Sequence, residues 1–129
     1  EDSKKCFEEH KIAVLQVSNI MKSEKYLPKS WSVTSDSIAA LMAQLIVAKR
    51  LLLVKSINGL TKRESGKFLN RVSVNSLNSD VRAGSIDEYF PNILKSSSFQ
   101  CFVVNGKFHN RVESILRGDN TVCTEIVSD

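Results

Sequence analysis

A chain of 129 residues, 42% of them hydrophobic and 25% charged, is long enough for one domain with its own core and too apolar for intrinsic disorder. Its formal charge of +4 comes from scattered Lys and Arg, the densest group being TKRESGK at 61–67; this suits a solvated basic surface and not a nucleic-acid module. Cys6, Cys101 and Cys123 lack CxxC spacing and are odd in number, so neither a disulfide framework nor a zinc site is indicated, and no apolar run reaches the ~20 residues of a membrane span. A reduced, soluble, cytoplasmic protein is expected. The start, EDSKKCFEEH, has no Met and no signal-peptide pattern, so the chain is expected to be an internal piece of something longer.

In chain order, KIAVLQV at 11–17 is a short branched apolar run and predicts a buried strand. A polar loop with Pro28 and SWSVTSD follows. Asp36 or Ser35 is the expected N-cap of a helix over 36–48, in which Ile38, Leu41, Met42, Leu45 and Ile46 recur at helical spacing. RLLLVKS at 50–56 predicts a second buried strand, closed by the Asn-Gly turn of INGL. The polar middle holds a brief apolar piece around 69–74 and a short helix near 75–80. Ser85 and Glu88 have capping-box spacing and open a helix from about 86 to 96, with Pro91 expected to kink it or give it a 3₁₀ start. FQCFVVNG at 99–106 predicts a third core strand, RVESILRG a helix stopped by Gly118, and CTEIV a last strand.

Strands alternating with helices imply parallel pairing, right-handed crossovers and helices on both faces: a three-layer αβα sandwich with a mainly parallel sheet. Ligands of such sheets gather beyond the carboxyl ends of strands, where SINGL and VVNG fall, and the amino end of the 36–48 helix can lie beside them.

SWSVTSDSIAALMAQL followed by RLLLVKSINGL resembles the nucleotide-binding half of the amino acid kinase family, which includes acetylglutamate, aspartate and uridylate kinases. The segment from SIDEYFPNIL to CTEIV is similar to one archaeal branch, kinases that act on an aminomethylfuran methyl phosphate in methanofuran synthesis. Trp31 with TSDS, then DE-FP and VVNG, carries that likeness, which extends from about residue 8 to 127. The resemblance implies ATP with Mg²⁺ as donor, a small phosphorylated or carboxylated acceptor, and a homo- or hetero-oligomer. Family members also carry a Lys with a Gly-Gly-Ser loop and a second glycine-rich loop. With five glycines, none adjacent, 1–129 corresponds to a single partial domain, the C-terminal half; the amino half is expected in cis or in trans, and this chain alone is expected to be inactive.

The resemblance assigns Asp36 the task of orienting cationic groups around the transferred phosphoryl; the plain alternative is an N-cap worth about 1 kcal/mol. Trp31, Ser32, Thr34 and Ser35 are the implied acceptor-binding residues, since hydroxyls and helix amides hold phosphate oxygens, although a lone Trp is as often packing. Lys55, Ser56, Asn58 and Gly59 at the turn, with Lys62 and Lys67 beyond it, are implied to meet the nucleotide; strand-end and loop lysines also commonly reach to solvent. Asn58 and Ser56 stand where relatives have Asp, which puts a metal or ribose contact in doubt and makes a non-catalytic nucleotide-binding or structural subunit the alternative reading. Asp87 and Glu88 read as structural, helix-opening acids. His10 and His109 fit no catalytic or metal pattern, and no residue is assigned to a metal.

Overall fold

The computed structural model describes residues 5, 6, 8, 9, 11–18 and 27–128. His10 and most of the polar loop after residue 18 lie outside them. Helix α1, Ser35–Leu45, buries Ala40, Leu41, Met42 and Ala43. It stops short of the expected 48. The Ala48 amide bonds to the Ala43 carbonyl at 2.8 Å and the Val47 amide to that of Gln44 at 3.1 Å, a Schellman motif that places Val47 at the left-handed position with φ 54°.

That position suits glycine. A branched residue there costs roughly 1–2 kcal/mol, and Val47 is 80% exposed, so its side chain returns little by burial. Val47→Gly is expected to stabilise the chain by about 1 kcal/mol, read as a higher urea midpoint with unchanged slope; a lower midpoint would show that the valine is needed for packing. The same motif ends helix α4, His109–Arg117, where the predicted stop Gly118 has φ 88°.

The sheet is made of β1 (Arg50–Lys55), β2 (Arg71–Ser73), β3 (Gln100–Asn105) and β4 (Thr124–Val127), in the order β1-β3-β4-β2. β1 pairs with β3 and β2 with β4 in parallel, while β3 and β4 are antiparallel. The sheet is mainly parallel, as expected, with the β3–β4 pair as its antiparallel exception. The segment 118–123 brings the chain into the sheet level with Val103, and β4 then runs back toward Cys101. The result is an α/β sandwich with a mixed, mostly parallel sheet.

Side chains alternate across it. Leu53, Cys101, Val103 and Ile126 join the main core with α1 and with α3, Phe90–Leu94, whereas Val104 and Ile115 of α4 are buried apart from that cluster. Arg50 ties the layers together by donating to the Ile115 and Leu116 carbonyls at the end of α4, both at 2.9 Å. Burial, helped by the negative charge of Asp36, pushes the Cys101 thiol up to about 12, so it is no nucleophile at neutral pH.

Two further expectations are corrected. KIAVLQV forms no strand: residues 11–17 have no regular structure, and Ile12 and Val14 are each 95% exposed. An apolar run becomes a buried strand only when a neighbour pairs with it and both its faces are covered, and none of the four strands does this for 11–17. The Ser85–Glu88 capping box is not formed either. Ser85 lies in a turn, its amide bonded to the Arg82 carbonyl, and α3 begins only at Phe90, whose amide is held by Asp87 Oδ1 at 2.9 Å. Pro91 therefore sits in the first turn, where its missing N–H costs nothing, and the Phe90-to-Asp87 and Asn92-to-Tyr89 amide–carbonyl bonds give that turn the expected 3₁₀ character. The short helical piece near 75–80 is present as a 3₁₀ turn, Val74–Ser76, followed by α2, Leu77–Asp80.

Candidate active site

Parallel register sets Lys55 beside Asn105 at the carboxyl ends of β1 and β3. The turn after β1 is pinned from below: Thr124 Oγ1 accepts from the Leu60 amide at 2.7 Å and donates to the Leu69 carbonyl. Above it opens a cleft of about 890 Å³ lined by Lys55, Ser56, Asn58, Gly59, Arg82 and Asn105, among others. No Asp or Glu is among its lining residues. A neighbouring hollow of about 450 Å³ is lined by Trp31, Ser32, Thr34, Ser35, Asp36 and Glu88, among others. Lys55 and Gly84 line both. Lys55 therefore stands at their junction.

Asp36 is the partner of that lysine. The residue is buried, and its carboxylate accepts from Lys55 Nζ at 2.8 Å and from the Asp87 backbone amide at 3.3 Å. It is not the cap: Thr34 holds the N-cap position, and Asp36 is the second residue of α1. The capping is done from fifty residues away. Asp87 Oδ2 accepts from the Thr34 amide and hydroxyl, each at 3.0 Å, and from the Ser37 amide at 2.9 Å, while Oδ1 accepts from the Ser37 hydroxyl.

Burial pushes the Asp87 carboxyl up, but the donors of Ser37 and Thr34 outweigh it and hold the group below its ordinary value. A folded pKa below the unfolded one gives stability that is complete above the unfolded value and lost as pH falls through the folded one. Asp87→Asn is therefore expected to lower stability most near neutral pH, with the difference from the parent shrinking toward pH ~3. Urea titrations at stepped pH check this; a pH-independent difference would mean that the charge contributes nothing.

Asn58, exposed at the mouth of the larger cleft, has its Oδ1 bonded by Arg111 Nη1 at 2.7 Å and by Asn105 Nδ2 at 3.1 Å. Asn105 is itself buried and accepts from the Lys107 amide at 3.0 Å. With Oδ1 taken twice, what Asn58 has left to offer a ligand is its amino group, a donor. Trp31 is 100% exposed, so it is not core packing. Lys62 and Lys67 do not line the larger cleft; they lie in a separate hollow with Arg71 and Asp80, their backbones joined across a tight turn at 2.8 Å.

The model of the amino acid kinase family matches residues 2–105. The chain belongs to the amino acid kinase family. It is 34% identical over 127 residues to the [5-(aminomethyl)furan-3-yl]methyl phosphate kinase of Methanocaldococcus jannaschii, covering 98% of this chain and 57% of that one. The crystal structure of UMP kinase from Ureaplasma parvum shares its fold, with a TM-score of 0.62 and 17% identity over 92% of this chain and 55% of that one. The chain thus spans somewhat more than half the length of each of these two proteins.

Sequence reasoning named Asp36 and Lys55 separately, and the structure joins them. It missed Arg82, whose guanidinium makes no hydrogen bond or ion pair among the described residues, as well as Asn105 and Arg111. Asp87 read as the opener of its own helix and is in fact also the anion at the start of α1. An Asn before Gly at a buried strand end was a usable signal for Asn105. For Arg82, in a polar loop, there was none.

Proposed function

We propose that this chain is the nucleotide-binding half of an ATP-dependent small-molecule kinase of the amino acid kinase family. The observation that carries the reading is Lys55 at the junction of two clefts, held by a buried carboxylate. Phosphoryl transfer asks the protein for alignment and for fixed positive charge near the moving group, with little covalent chemistry. The larger cleft, beyond the strand ends and lined by Lys55 and Arg82 with hydroxyls and amides, suits a nucleotide polyphosphate. The smaller, with exposed Trp31 and the hydroxyls of Ser32 and Ser35, suits the acceptor, while Thr34 lines it with its own hydroxyl proton given to Asp87. Lys55 would then neutralise the oxygens that pass between them.

The larger cleft lacks a carboxylate, and among the described residues no group of His, Cys, Asp and Glu could hold a metal. The residues present do not fit a protein-held Mg²⁺. Such an ion would arrive on the phosphates of ATP, as small hard cations commonly do.

Likeness to the Methanocaldococcus enzyme supports a phosphorylated aminomethylfuran, or a similar small phosphate or carboxylate, as acceptor. Glycine loops supplied in cis or in trans, an oligomeric assembly and a cytoplasmic location belong to the same proposal. Among the described residues no helix is long and apolar enough to cross a membrane. The full-length protein, incubated with ATP, Mg²⁺ and [5-(aminomethyl)furan-3-yl]methyl phosphate, is expected to release ADP and a diphosphate seen by ³¹P NMR. Nucleotide binding without transfer to any small phosphate or carboxylate would favour the second reading, a non-catalytic nucleotide-binding or structural subunit, for which Ser56, Asn58 and the carboxylate-free cleft speak. Failure to bind nucleotide would sink the kinase.

A further inference from the structure

The amino end of a helix, with its unsatisfied amides, is where an anionic ligand would be expected. In α1 an internal anion is already there. The Thr34 and Ser37 amides both donate to Asp87, and the Asp87 amide donates in turn to the Asp36 oxygen that holds Lys55. The Tyr89 amide adds a bond to the Ser32 carbonyl at 3.1 Å. The segment carrying Asp87 also borders both clefts, through Arg82 and Ser85 on one side and Ile86 and Glu88 on the other.

We infer that Asp87 is a positioning residue for phosphoryl transfer: its carboxylate stands in for an anion at the start of α1, and its backbone amide sets the Asp36 oxygen that holds Lys55 between the clefts. The consequence for catalysis rests on the kinase reading; the consequence for Lys55 does not. One corollary concerns the acceptor. The Thr34 and Ser37 amides are engaged and so closed to its negative end, and Lys55 is the one Lys or Arg among the residues lining that hollow.

A cap and a positioning residue differ in what happens at Lys55 when the carboxylate is removed. The test uses the full-length protein with Asp87→Ala and Asp87→Asn. Acylation of the Lys55 amine by limiting acetic anhydride, quantified by peptide mass spectrometry, is expected to rise about threefold in Asp87→Ala as the lysine loses its fixed partner. The kcat is expected to fall roughly tenfold or more, with KM for ATP within about threefold, because alignment is lost and not nucleotide affinity. Sodium formate, small enough for the space left by the carboxylate, is expected to reverse both in part.

Loss of hydrogen-exchange protection at Thr34 and Ser37 with unchanged Lys55 acylation and unchanged kcat would overturn the inference and leave Asp87 as a cap. If the parent protein transfers no phosphoryl group, the kinase reading fails, and the Lys55 measurement alone decides this one. Should neither Asp87 variant fold, Ser37→Ala removes one of its donors. A smaller rise in Lys55 acylation, about twofold, is then expected, and none would count against the proposal.

Discussion

Asp36→Asn is expected to lower kcat by on the order of a hundredfold or more, the loss seen when one preorganised electrostatic group is removed from an active site. The substitution keeps size and shape and removes one charge. In the parent, Lys55 Nζ lies 2.8 Å from the carboxylate, in a pair whose side chains are 23% and 10% exposed, so the attraction is only partly screened. An amide oxygen in the same place still accepts one hydrogen bond. It gives the ammonium no counter-charge, and a lysine without one extends toward water. Lys55 would leave the junction, and the transferred phosphoryl would lose its fixed positive neighbour. The measurement is steady-state kinetics of the full-length protein with ATP and the phosphorylated aminomethylfuran, well below the melting temperature of the variant. A kcat within about threefold of the parent would return Asp36 to a structural role.

Gly59→Ala is expected to destabilise the fold by about 3 kcal/mol, from overpacking together with a lost buried hydrogen bond. A Cβ at residue 59 would lie 2.5 Å from Thr124 Oγ1 and 2.8 Å from the Phe68 ring. The threonine cannot yield freely. Thr124 is fully buried and bridges the Leu60 amide and the Leu69 carbonyl, so displacing its hydroxyl opens the contact between the turn and β4. Because the same turn carries Asn58 and borders the larger cleft, nucleotide affinity is expected to fall with stability. Gly66→Ala is the control. It too has a positive φ, 66°, but nothing stands within 4 Å, so only backbone strain of about 1 kcal/mol is expected. Equal losses at the two positions in urea unfolding would mean that the turn packs loosely and that the proposed clash is absent.

Much of the fold was legible because it is written in local pattern. The branched apolar runs at 50–56 and 99–106, the helical spacing of Ile38, Leu41 and Met42, and Gly118 as a stop are short-range features that the chain expresses wherever a core is available. Of the site, the TSDS motif and the strand-end lysine were legible as types. Their partnership was not, since nineteen residues and a whole helix separate Asp36 from Lys55 and only strand register and helix packing bring them to 2.8 Å.

Misreadings arose where a local rule met a distant competitor. Asp36 has the composition of a cap, yet Asp87 reaches the start of α1 from another segment and takes the Thr34 and Ser37 amides. Ser85 and Glu88 have capping-box spacing, yet the chain spends that stretch lining two clefts and begins its helix at Phe90. The left-handed Val47 went unseen because nothing in its neighbours announces a Schellman turn without glycine.

By itself, then, the sequence determined an α/β chain with polar loops at its strand ends, because hydrophobic period and turn chemistry act over a few residues, while its motifs carried the resemblance to the amino acid kinases. Only the tertiary structure decided that KIAVLQV stays out of the sheet, that β4 runs against β3, that Lys62 and Lys67 stand apart from the larger cleft, and that Asp87 bonds both to the start of α1 and to the Asp36 that holds Lys55. Pairing, burial and the convergence of donors on one carboxylate depend on residues far apart in the chain, and no local pattern encodes which of them will meet.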